Sequence, residues 1–112
     1  MKALHCAIKR QYLDLIMAGT KNVEYRDMSP YWVQRLVVIP AGKDINQYRA
    51  DIISGKVEPK FQHYTHIVFH CEGDTAKIPI TEIKTYRGYH IFAIGLDNKP
   101  DDKSVKIKQA GK

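Results

Sequence analysis

The chain has 112 residues, 44% hydrophobic and 27% charged, close to the average for a globular domain and long enough to bury its own core. No apolar run approaches the roughly 20 residues that span a bilayer, and Met1-Lys2-Ala3-Leu4-His5 lacks the apolar core of a signal peptide, so a cytoplasmic protein with no membrane partner is expected. The formal net charge of +6, weighted toward the two ends, favours polyanions such as nucleic acid, although it argues for attraction and not for specificity.

Residues 3–8 alternate, with Leu4, Cys6 and Ile8 on one face, and predict a first strand. From Lys9 to Ala18, Tyr12, Leu15 and Ile16 recur at helical spacing, with Leu13 and Met17 flanking the stripe, so a short amphipathic helix is expected to stop at Gly19. A second strand follows at about 21–27. Alternation places Asn22, Glu24 and Arg26 on one face and Lys21, Val23 and Tyr25 on the other, unless a bulge near Lys21 changes its side. Ser29-Pro30 reads as N-cap and first position of a helix reaching about Leu36.

Val37-Val38-Ile39 is β-branched and extended. Asp44 can cap another helix carrying Ile45, Tyr48 and Ile52 up to a Ser54-Gly55 stop, and 56–62 is an aperiodic loop. Three late strands are predicted at 65–72, about 78–86 and 89–96, with Gly73-Asp74 and Arg87-Gly88 as turns; Pro79 suggests an edge position or a bulge. Residues 97–112 are Lys-rich with almost no core residues and read as a basic, flexible tail behind a domain of 1–96. Short strands with helices inserted early give a mixed α/β (α+β) domain or small β-barrel.

Candidate chemistry is sparse. Cys6 and Cys71 sit in apolar alternating segments and read as reduced core thiols, with no Cys-x-x-Cys spacing for a metal. Of the five histidines, His66 and His70 share a strand face but lie about 13 Å apart, too far to share an ion. His5 and His90 stand alone in the sequence. No metal or cofactor is therefore expected, and no Gly-x-Ser-x-Gly, P-loop, dinucleotide or His-Glu-x-x-His motif occurs.

The stretch Gly19-Thr20-Lys21-Asn22-Val23-Glu24-Tyr25-Arg26 differs, because it mounts charges directly behind a helix stop. It resembles the Gly-x-Lys-x-x-Glu-x-Arg signature of the ASCH domain family, relatives of the PUA fold. Residues 3–27 resemble that family's opening strand, helix and strand, 65–96 its closing strands, and 40–64 carry no matching motif. The resemblance implies a small PUA-like pseudo-β-barrel flanked by two or three short helices, with a basic cleft that binds RNA or a modified nucleotide. Lys21 would meet a phosphate, Arg26 a phosphate or base edge, and Glu24 an exocyclic amine, while Tyr25, Tyr31 and Trp32 offer a stacking surface.

The resemblance leaves open whether the chain is an enzyme. Deacetylating relatives place a threonine nucleophile three residues after the lysine, where this chain has Glu24. An amidohydrolase acting on acetylated cytidine is therefore disfavoured. A hydrolase of RNA or of a modified nucleoside, a ribonuclease first, using Lys21 and Glu24 catalytically, is the alternative. A protein-interaction domain with a basic docking tail is a second. The plain reading is that Glu24 and Arg26, about 7 Å apart on one strand face, form ordinary ion pairs and that the aromatic residues belong to the core.

Overall fold

The structure is a computed structural model that describes residues 2–98 and the strand Lys106–Lys108. In chain order the elements are β1 (Ala3–Ala7), α1 (Arg10–Met17), β2 (Val23–Asp27), α2 (Pro30–Leu36), α3 (Ile45–Ile53), β3 (His66–Cys71), β4 (Asp74–Tyr86), a 3₁₀ turn (Arg87–Tyr89), β5 (Ile91–Leu96) and β6 (Lys106–Lys108). This is the expected mixed α/β class. The strands run β1-β3-β4-β5-β2 across one open sheet, and β6 pairs with β4. By contacts the chain divides into two compact units, one of residues 1–24, 64–82 and 94–112, the other of 25–63 and 83–93.

In the first unit β1 lies parallel to β3, and β3 antiparallel to β4. The register aligns Leu4 with Ile67 and Ile78, and Cys6 with Phe69 and Ala76. Period-2 alternation thus gathers one apolar row per strand, and all six residues are buried. Leu13 and Ile16 of α1 are buried as well. Tyr12 and Leu15 are exposed, so of the expected stripe Ile16 alone is buried, joined by Leu13 from its flank. Both cysteines are buried and unbridged, as read from the sequence.

Glu72 and Gly73 both have positive φ between the paired residues Cys71 and Asp74. That is the two-residue turn whose twist suits a hairpin. The tight turn lets β4 start at Asp74, four residues ahead of the predicted strand, and places Pro79 inside an inner strand of the sheet, opposite His66 at the start of β3. Arg10 ties the first turn of α1 to this hairpin, donating to Asp74 at 2.7 Å with Glu72 at 3.5 Å. The hydrogen bond to the Asp74 carboxylate raises the Arg10 pKa above its already high ordinary value.

In the second unit both helices carry the caps that their sequences announce. Ser29 accepts from the Trp32 N–H at 3.3 Å with Pro30 behind it, and Asp44 accepts from the Gln47 N–H at 3.0 Å. Trp32, Val33, Leu36, Tyr48 and Ile52 are buried, with Met28 and Phe92 fully enclosed. Val37 forms an isolated bridge with Phe61, whose ring meets Phe92 edge to face at 6.0 Å. Arg87 closes the unit by donating from Nε to the Ile52 carbonyl at 3.0 Å and from Nη2 to Glu58.

Among the residues expected to form a tail, Asp97 donates to the Pro79 carbonyl at 3.0 Å, Asn98 is buried, and Lys106–Lys108 forms β6. The rest of that segment lies outside the described residues. No helix among the described residues is long and apolar enough to cross a membrane.

Candidate functional site

The predicted helix stop is present in full. Gly19 has φ 77°, its N–H reaches the Ile16 carbonyl, and the Thr20 N–H reaches the Leu15 carbonyl, both at 3.0 Å. This double closure requires a left-handed residue at the glycine position, where a Cβ would be disfavoured. The Lys21 N–H also returns to Leu15 at 3.1 Å. The residues after the helix are therefore held by its last turn.

Strand β2 begins only at Val23, so strand alternation does not extend back to Lys21. Lys21 therefore comes to the side of Glu24, where alternation from 21 had placed it opposite. Its ammonium lies 3.0 Å from Glu24 Oε1 and also donates to the Val23 carbonyl. Glu24 is only 6% exposed and Lys21 half-buried. Two charges so placed attract more strongly than a surface pair, and removing either leaves the other desolvated.

Asn98 anchors the same turn from the far end of the chain. It is 2% exposed, and its Nδ2 donates to the Ile16 carbonyl at 2.7 Å and the Lys21 carbonyl at 2.8 Å. Two carbonyls facing one amide group settle which end of the amide is nitrogen. The Leu96 N–H adds a bond to the Asn22 carbonyl at 2.9 Å. Sequence reasoning missed Asn98, because nothing within the segment 97–112 distinguishes it from the surrounding polar residues.

Tyr25 and Arg26 belong to the second unit. Alternation turns Tyr25 outward, 54% exposed, and Arg26 inward. The Arg26 guanidinium lies 5.1 Å from the centre of the Trp32 ring, and Arg35 lies 5.3 Å from both the Trp32 and the Tyr31 rings. Tyr31 meets Trp32 edge to face at 5.2 Å, accepts from Arg35 Nη1 at 2.5 Å, and is 57% exposed. Two guanidiniums are thus concentrated over one indole, with two tyrosines open to solvent in the same unit. Arg35 was not among the expected site residues. Its helical offset of four from Tyr31, and of three from Trp32, was the available signal.

Of the four expected ligand residues, the structure brings Lys21 and Glu24 together as an ion pair and joins Arg26 to Trp32, while Tyr25 is exposed on β2. His5, isolated in the sequence, is not isolated in the fold: its Nδ1 is 2.8 Å from His70 Nε2. No group of three or more metal-ligating side chains occurs among the described residues. Comparison with family models, curated proteins and solved structures finds no match for the chain.

Proposed function

We propose that the chain is an ASCH-type module of PUA-like fold that binds RNA or a modified nucleotide. The observation that carries this reading is the cluster of Arg26, Arg35, Tyr31 and Trp32 in the second unit. A guanidinium resting on an aromatic ring has its freedom limited by the ring, and its planar fork matches the geometry of a phosphate. Tyr25 and Tyr31, more than half exposed, supply faces on which unpaired bases stack, which suits single-stranded RNA better than a duplex. The net charge of +6 adds long-range attraction.

The test is fluorescence anisotropy of a short labelled single-stranded RNA at low salt. Wild type binds, and Arg26→Ala combined with Arg35→Ala weakens binding at least about tenfold, since both are assigned to phosphate. Absence of wild-type affinity, or equal affinity in the double variant, overturns the proposal.

The hydrolase reading draws on a different observation, the carboxylate of Glu24 at 3.0 Å from an ammonium. Such a pair can divide proton transfer and charge stabilisation between its members. It requires RNA turnover that Glu24→Gln abolishes. Binding without turnover leaves the recognition reading alone.

A further inference from the structure

The solvated face of the first unit's sheet holds a feature that nucleotide binding does not use. The parallel register pairs Ala7 with His70 and His5 with Val68, which sets the two histidines diagonally across β1 and β3. Both are exposed. Their ring centres are 5.1 Å apart and their planes inclined by 25°. With nitrogens only 2.8 Å apart, the rings meet edge to edge, nitrogen toward nitrogen, and do not overlap face to face.

We propose that His5 and His70 form a binding site for one divalent transition-metal ion of the class that prefers imidazole: Cu²⁺, Ni²⁺ or Zn²⁺. Two adjacent ring nitrogens bound to one such ion at about 2.0–2.1 Å stand about 2.8–3.4 Å apart, the short end in square-planar and the long end in tetrahedral geometry. The observed 2.8 Å needs to open by no more than a few tenths of an ångström. Because both rings are exposed, a rotation about χ2 turns both lone pairs toward a common point on the solvent side. The backbone need not move.

The backbone is well suited to hold that geometry. Leu4 and Cys6 flank His5, and Phe69 and Cys71 flank His70, and all four side chains are buried in the core. The two imidazoles therefore stand on strands fixed by packing and by the β1–β3 ladder. Such fixed donors lose little freedom when they bind an ion.

The hydrogen bond now present uses one nitrogen as donor and the other as acceptor. Coordination needs a lone pair from each. The shared proton passes through solvent to the other nitrogen of its own ring, which leaves a lone pair on each of the two facing nitrogens.

The neighbouring register positions on this face are Ala3, Ala7, Val68, Thr75 and Lys77. None is a carboxylate, which disfavours Ca²⁺ and Mg²⁺, the cations that demand oxygen ligands. Lys77, opposite Val68, opposes a dication, and water completes the coordination. The site is thus weaker than a closed structural zinc centre. His66 lies on the same face but four residues along β3, about 13 Å from His70 and out of reach.

The test is calorimetric titration of the full chain with NiCl₂ and, separately, ZnCl₂. Wild type takes up one equivalent, and His5→Gln and His70→Gln each weaken binding at least about tenfold, the loss of one of two ligands. A triple variant carrying His63→Gln, His66→Gln and His90→Gln binds as wild type does. Equal affinity in either single variant, or loss of binding in the triple variant, overturns the site. A measurement on unmodified protein guards against misfolded variants: Ni²⁺ broadens the ring resonances of His5 and His70 before those of the other histidines. Broadening centred elsewhere, or none, contradicts the proposal.

Discussion

Asn98 shows how one side chain can hold a site without taking part in it. Its amide reaches the last turn of α1 and the backbone of Lys21 at once. Asn98→Leu removes donors from two carbonyls and should cost about 1–3 kcal/mol, read by chemical denaturation. Asn98→Asp should cost more, because it brings a negative carboxylate against the same oxygens. The Lys21–Glu24 pair makes an equally definite prediction. Lys21→Met leaves the buried Glu24 carboxylate without its ammonium and should destabilise by about 1–3 kcal/mol, less than a fully buried pair because Lys21 is part-exposed. Adding Glu24→Gln should restore much of the loss. A double-mutant cycle with no coupling would show that the pair contributes nothing.

At the scale of elements, local signals were legible and long-range ones were not. Gly19, Ser29-Pro30 and Asp44 mark helix ends through their own backbone preferences, and each is found where it was read. The side taken by Lys21 depended on where β2 starts, which pairing with neighbouring strands decides. Of the expected α1 stripe Ile16 is buried but Tyr12 and Leu15 are not, and the flanking Leu13 takes the inward place, because both sets fit helical spacing and only packing against the sheet chooses between them. The His5–His70 contact joins residues 65 apart in sequence through a parallel pairing that no local pattern announces. Close packing within the sheet is testable at Gly95 on β5. A Cβ there would lie 2.3 Å from Thr81 Oγ1 and 3.5 Å from the Glu82 carbonyl oxygen. Gly95→Ala should cost about 1–3 kcal/mol by thermal or chemical unfolding, and Thr81→Ala in the same chain should recover part of that cost.

At the scale of the whole molecule, the class of fold was legible from periodicity, and the described strands form the open, mixed sheet of an α/β protein. The candidate site was legible as a set of residue types but not as a grouping. The sequence aligned Lys21, Glu24, Tyr25 and Arg26 along one strand, whereas in three dimensions Lys21 closes on Glu24 and Arg26 joins Trp32 and Arg35. The arginine–aromatic cluster, with the charge of +6, is the feature on which recognition of a phosphate-bearing ligand rests. The salt dependence of single-stranded RNA binding tests this most directly. Each phosphate contact contributes about −0.7 to the slope of log K against log salt for a single strand. Arg26→Ala with Arg35→Ala should therefore flatten the wild-type slope by about 1.4, with loss of affinity at every salt concentration. An unchanged slope in the double variant would contradict the account.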